Sequence, residues 1–121
     1  MKIRVYYEDT DVAGVVYYAN YFKFIERARS EIFFANSLSP ISNNSHFVVK
    51  NIYADFLRSA KFGDELEIKT EVVLVKSVSI ELRQEIYRAD KKLFVAIVKL
   101  VHLLNDRPAK IPDNIVSLFI K

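Results

Sequence analysis

At 121 residues, 51% of them hydrophobic, the chain holds apolar material for one cored domain and too much of it to be disordered. Its two glycines, Gly14 and Gly63, cannot build the glycine-rich phosphate loops of nucleotide-binding folds, and the absence of cysteine excludes disulfides, thiol nucleophiles and cysteine-bound zinc. The net charge of +3 divides as +1 over residues 1–60 and +2 over 61–121, with no basic block longer than Lys91-Lys92, so nothing marks a nucleic-acid partner.

The first predicted element is a strand over residues 2–7, rich in β-branched and aromatic side chains. It meets Glu8-Asp9 at once and so lacks the apolar core of a signal peptide. No apolar run approaches the ~18 residues of a membrane helix, so no membrane insertion is expected and the chain reads as cytoplasmic. Residues 8–19 are irregular around Gly14. From Asn20, a candidate N-cap, Tyr21, Ile25, Ala28, Ile32 and Ala35 recur at helical spacing and define one long amphipathic helix.

Polar residues 36–44 end that helix, and from there the pattern is strand. Residues 47–58 form one long run. After a turn at Gly63-Asp64, apolar and polar residues alternate over 66–74, and Lys76-Ser77 makes a tight connection to a second alternating stretch over 78–86. Asp90-Lys91-Lys92 turns the chain into residues 93–104, apolar on both faces except for Lys99 and His102. A loop over 105–112 and a short helix over 113–119 follow.

One strand, one long helix and four long strands joined by tight turns predict an α+β domain spanning residues 1–121, with the helix laid on a curved antiparallel sheet. One helix covers only one sheet face. The strand over 93–104 has two apolar faces, so a second copy of the chain is expected to cover the other, giving a homo-oligomer.

The chemistry concentrates in Tyr7-Glu8-Asp9-Thr10-Asp11-Val12-Ala13-Gly14-Val15-Val16-Tyr17-Tyr18-Ala19-Asn20-Tyr21, where three carboxylates fall within four residues. Asp9, Asp11 and Gly14 match the opening of an EF-hand loop. Ala13 and Asn20 stand at its fifth and twelfth positions, however, and no bidentate glutamate closes it, so no metal is expected. Asp11 instead reads as a carboxylate just ahead of a helix N-terminus, whose N–H groups and dipole favour developing negative charge. A carboxylate beside a polarised carbonyl is a minimal apparatus for acyl transfer. With no histidine in the segment to protonate a leaving group, a thiolate suits the site better than an alkoxide or amine.

The run Tyr6-Tyr7-Glu8-Asp9-Thr10-Asp11-x-x-Gly14-Val15-Val16-Tyr17-x-x-x-Tyr21, followed by Glu26-Arg27-Ala28-Arg29 and by Ala60-x-x-Gly63-Asp64, closely resembles the YbgC and 4-hydroxybenzoyl-CoA thioesterase family of hotdog-fold proteins. The resemblance implies a helix wrapped by an antiparallel sheet, homodimers or homotetramers, and hydrolysis of acyl-CoA thioesters at sites between protomers without a cofactor. It implies that Asp11 is the nucleophile or general base. The Tyr18 backbone N–H would polarise the thioester carbonyl, and Tyr18 stands where YbgC members typically carry histidine. Tyr7, Gly14, Val15 and Val16 would line the substrate, and Lys76-Ser77 matches a turn that contacts the nucleotide phosphates. Arg88, Lys91, Lys92 and Lys99 are further candidates for the anionic nucleotide, Glu26 and Arg29 for a charge network near the site. His46 and His102 are expected to be structural or exposed. The alternative reading is a non-catalytic acyl-CoA or acyl-carrier-binding module, partnered by acyl carrier protein or enzymes of lipid and envelope synthesis.

Overall fold

A computed structural model describes residues 1–120. In chain order the elements are β1 (Lys2–Arg4), a 3-10 turn (Tyr7–Asp9), α1 (Asn20–Phe34), β2 (Ser45–Phe56), β3 (Glu65–Val75), β4 (Ser79–Arg88), β5 (Lys91–Leu104), β6 (Arg107–Pro108) and α2 (Asp113–Phe119). The sheet runs β1-β3-β4-β5-β2, with β6 paired to β5 and every pairing antiparallel. The α+β hotdog architecture expected from the sequence is the one observed.

The core lies between α1 and the concave face of the sheet. Tyr21, Phe24, Ile25 and Ala28 of α1 pack on Leu66 and Ile68 of β3, Ile80, Leu82 and Ile86 of β4, and Phe94, Ala96 and Val98 of β5. Register shifts at Val49/Asn51, Val72/Leu74 and Ile86/Tyr87 add the local twist that curls long strands around a single helix. The helical stripe is displaced from the sequence expectation at its C-terminal end: Phe33 is buried, Ile32 half-buried and Ala35 exposed. The larger ring goes inward there, edge-on to Phe119 of α2.

The first strand is shorter than residues 2–7 predict. Asp9 Oδ2 accepts a hydrogen bond from the Tyr6 N–H at 2.8 Å and draws the chain off the sheet into the 3-10 turn. Arg107–Pro108, read from the sequence as loop, adds a short strand against Leu103 and Leu104.

Along β5 one face is buried through Phe94, Ala96, Val98, Leu100 and His102, while Val95, Ile97, Val101 and Leu103 on the other face are only half-covered. The outer edge of β2 has no strand partner among the described residues, and Val48, Val49, Tyr53 and Phe56 along it are exposed. No described helix is long and apolar enough to cross a membrane.

Candidate active site

Two aspartates separated by one residue occupy opposite environments. Asp9 is only 6% exposed. Besides holding the Tyr6 N–H, it offers its carbonyl to the Tyr17 N–H at 3.0 Å and to Asn20 Nδ2 at 2.9 Å. Asp9 therefore ties the end of β1 to the start of α1. This also corrects the capping expectation: Asn20 spends its side chain on Asp9, and the N-cap position is Ala19, which has no side-chain cap.

Asp11 is exposed, on a narrow loop closed by the Thr10–Val16 bridge. Its N–H donates to the Val15 carbonyl at 2.9 Å and its carbonyl accepts from the Gly14 N–H at 3.0 Å. One carboxylate oxygen accepts from the Ala13 N–H at 2.8 Å, an Asx turn that orients the carboxylate while leaving it in solvent. Gly14 closes the loop at φ +78°, a conformation that disfavours any side chain. Asp11 does not cap α1; the Val15 and Val16 bridges lie between them.

The carboxylate lines a cleft of about 550 Å³ with Tyr7, Thr10, Val12, Gly14 and Phe62. Phe62, not anticipated as a site residue, meets the Tyr7 ring edge-on at 6.1 Å. Its place follows from two contacts beside it: Val15 bridges Lys61, and the Val16 N–H donates to the Ala60 carbonyl at 2.9 Å. The signal available in the sequence was an aromatic directly before the Gly63-Asp64 turn.

The other expected site residues separate into three places. Val16 is buried and Val15 half-buried, both holding the loop rather than facing the cleft. Tyr18 is exposed, its ring against Tyr17 at 5.0 Å and Phe56 at 6.1 Å. The N–H groups of Tyr17 and Asn20 are bonded to the carbonyls of Asp9 and Tyr17, whereas that of Tyr18 donates to no described residue and is free just ahead of α1. Lys76 and Ser77 are exposed in the β3–β4 turn, at the opposite end of β3 from β1 and the Asp11 loop. An 11-residue strand is about 35 Å long, so these two residues lie roughly a strand's length from the Asp11 loop of the same chain.

Several of the candidate cations already have partners. Arg88 bonds Asp64 Oδ2 at 2.9 Å and the Ser59 carbonyl at 3.1 Å, and Lys92 meets Glu85 at 2.5 Å. That hydrogen bond raises the Lys92 ammonium above its usual range. Arg29 turns inward and donates to Gln84 Oε1 at 2.9 Å, while Glu26 bonds Ser30 at 3.2 Å. Arg29 thus gives its hydrogen bond to a core residue while staying near the Glu26 charge; burial pulls its guanidinium below the ordinary value and Glu26 opposes that shift.

The chain is similar to known proteins over most of its length. The sequence profile of the Thioesterase superfamily matches residues 13–95. The acyl-CoA thioesterase YbgC of Helicobacter pylori is 51% identical over 87 residues, covering 72% of this chain and 65% of that protein, so the match spans less than two thirds of the relative's length. The acyl-CoA thioester hydrolase YbgC of Escherichia coli O6:H1 is 36% identical over 123 residues, covering 97% of this chain and 92% of the relative. A probable thioesterase from Bartonella henselae superposes with a TM-score of 0.87 at 29% identity, covering 93% of this chain and 97% of that one.

Proposed function

The chain belongs to the thioesterase superfamily, and from that premise we propose that it hydrolyses acyl-CoA thioesters with Asp11 as the reacting carboxylate. The observation that carries the proposal is the contrast within the motif: Asp9 is buried with its carboxylate bonded to the Tyr6 N–H, whereas Asp11 is exposed and held by an Asx turn at the wall of a cleft. The fold has already assigned the first carboxylate. The second is oriented toward solvent with nothing structural to hold beyond its own loop.

In the proposed reaction water adds across the C–S bond, giving a carboxylic acid and free CoA thiol. Asp11 either attacks the carbonyl carbon, forming a mixed anhydride and expelling the thiolate, or takes a proton from the attacking water. A thiolate leaves without protonation near neutral pH, which suits a cleft lined by no histidine. The free Tyr18 N–H ahead of α1 is a donor for the carbonyl oxygen as it gains charge. Tyr7, Val12 and Phe62 offer an apolar wall to the acyl group. Because Lys76-Ser77 lies a strand's length from Asp11, its proposed hold on the nucleotide phosphates requires a partner protomer.

The test is a hydrolysis screen over short-chain, long-chain and aromatic acyl-CoAs with released thiol as readout, repeated with Asp11→Asn. Turnover should drop at least about a hundredfold, the scale of a general acid–base group. An Asp11→Asn variant as fast as the parent on its best thioester removes Asp11 from the reaction. Single-turnover reaction in oxygen-18 water separates the two routes, because only the anhydride places solvent oxygen in the Asp11 carboxylate.

A further inference from the structure

The two histidines, read from the sequence as structural or exposed, do not behave alike. His102 is 4% exposed and sits on the concave face of β5 at the end of the sheet remote from Asp11. Its Nδ1 lies 3.0 Å from the Ala109 carbonyl and its Nε2 lies 2.7 Å from Ser45 Oγ. A carbonyl only accepts, so Nδ1 carries the proton. In the neutral ring Nε2 then has a free lone pair, and the Ser45 hydroxyl donates to it. The imidazole is fixed from several sides. The His102 main-chain N–H donates to the Val78 carbonyl at 2.8 Å, its main-chain carbonyl accepts from the Ala109 N–H at 3.0 Å, and the ring tilts against Phe47 at 5.2 Å.

Ser45 is presented by the adjacent turn. Asn43 and Asn44 both have positive φ (48° and 65°), and reciprocal bonds between Ser42 and Ser45 (2.9 and 2.7 Å) close a two-residue hairpin whose first strand residue is Ser45. Ser45 and His102 both line a cavity of about 460 Å³ between α1, the 37–43 loop and the residues leading into α2. Its walls are largely apolar, including Phe33, Leu38, Phe47 and Ile115, with Lys110 as a cation at the margin.

We propose that Ser45 and His102 form a second nucleophilic centre, separate from the Asp11 cleft, that takes small carboxylic esters with an apolar acyl group. A serine bonded to a histidine nitrogen, with the other nitrogen oriented by a fixed acceptor, is the arrangement that activates a hydroxyl nucleophile. Here a main-chain carbonyl replaces the usual carboxylate. Ser45 Oγ bonds to the ester carbonyl carbon as its proton passes to His102 Nε2. The C–O bond then breaks, and the leaving alkoxide takes that proton from Nε2. Water next attacks the acyl-serine carbonyl carbon and gives a proton to Nε2; the acyl–Oγ bond breaks, Ser45 Oγ takes that proton back from Nε2, and the carboxylic acid leaves.

The cavity contains its own controls, because Ser39 and Ser42 line the same space without a histidine contact. The intact protein is treated with a small alkyl fluorophosphonate, whose P–F bond is exchanged for an Oγ–P bond, and the adduct is mapped by peptide mass spectrometry. Ser45 should be modified at least about a hundredfold faster than Ser39 or Ser42, the contribution expected of a positioned base. In His102→Gln, with folding checked by circular dichroism, that preference should vanish. Absence of an adduct on Ser45, equal modification of Ser42, or undiminished modification in folded His102→Gln overturns the proposal. If His102→Gln does not fold, the Ser45-to-Ser42 ratio in the unsubstituted protein decides alone. None of these readouts involves thioester hydrolysis, so a failure here is distinct from a failure of the Asp11 mechanism.

Discussion

The Tyr21 hydroxyl accepts a hydrogen bond from the Ala60 N–H at 3.0 Å inside the core, and the Ala60 carbonyl accepts one from the Val16 N–H at 2.9 Å. Through Ala60 the first turn of α1 is thus coupled to the loop that carries Asp11. Burial pushes the Tyr21 hydroxyl above the usual phenol range. Tyr21→Phe keeps the ring and strands a fully buried N–H, costing about 1–3 kcal/mol by urea denaturation. A loosened Asp11 loop should also lower kcat about tenfold, since small misplacements of a reacting group are costly. A variant with unchanged kcat would uncouple Tyr21 from the site.

Asp9 and Asp11 should respond oppositely to substitution. Asp9→Ala frees the Tyr6 N–H and leaves a void under the 3-10 turn, so stability should fall by roughly 1–3 kcal/mol. Asp11→Asn keeps the side-chain oxygen that accepts from Ala13 and should leave the urea midpoint where it was. Paired denaturation and turnover measurements decide this. An Asp9→Ala protein of parental stability would sink the division of roles.

Gly14→Ala isolates a backbone effect, because an added Cβ would meet nothing within 4 Å. The cost is that of a left-handed residue, about 1–2 kcal/mol. The added strain falls on the residue whose N–H bonds the Asp11 carbonyl, so turnover should fall with stability. A destabilisation well beyond that range would mean that the loop is packed against something in solution.

The order of elements and the helix-on-sheet arrangement were legible because each long segment has one clear period, as in the alternation over residues 66–74. The division of labour between Asp9 and Asp11 was not, since both are aspartates on one irregular segment and only their hydrogen bonds distinguish them. The residue pattern picked out Asp11 by its place ahead of a helix, although Asp11 does not cap α1 in the fold, and the resemblance singled it out independently. Gln84 shows a further limit. In sequence it interrupts an apolar face, and in the fold it is fully buried, accepting from Arg29 and donating to the Ile25 carbonyl and Thr70. Three partners from two other elements carry no local signature. The Ser45–His102 contact joins residues 57 apart and was equally invisible.

That network makes Gln84 a sensitive position. Gln84→Ala leaves the Arg29 guanidinium half-buried with no acceptor from β4 and opens space in the core. A loss of about 2–3 kcal/mol is expected, the scale of a hydrogen bond to a charged group. Gln84→Glu retains the acceptor and adds a charge opposite to Arg29 but loses the amide that donates to Ile25 and Thr70, so it should recover only part of that loss. If both variants unfold at the same urea concentration, the buried acceptor is not what Arg29 requires.

The edge of β2, without a strand partner among the described residues, and the half-covered outer face of β5 leave Tyr53, Val48 and Val95 at a surface, the kind of apolar exposure and open edge that a second copy covers. Sedimentation equilibrium at low micromolar concentration should therefore give at least twice the 14.1 kDa chain mass. The roughly strand-length gap between Lys76 and Asp11 then makes a sharper prediction, because a shared site takes Asp11 from one chain and Lys76 from the other. Asp11→Asn and Lys76→Glu chains are each impaired alone, yet a mixed dimer pairs the intact Asp11 of one with the intact Lys76 of the other. Co-expression should recover about a quarter of parental turnover, since about half the dimers are mixed and each has one whole site. Recovery no greater than the two variants give separately would rule out a site shared in this way.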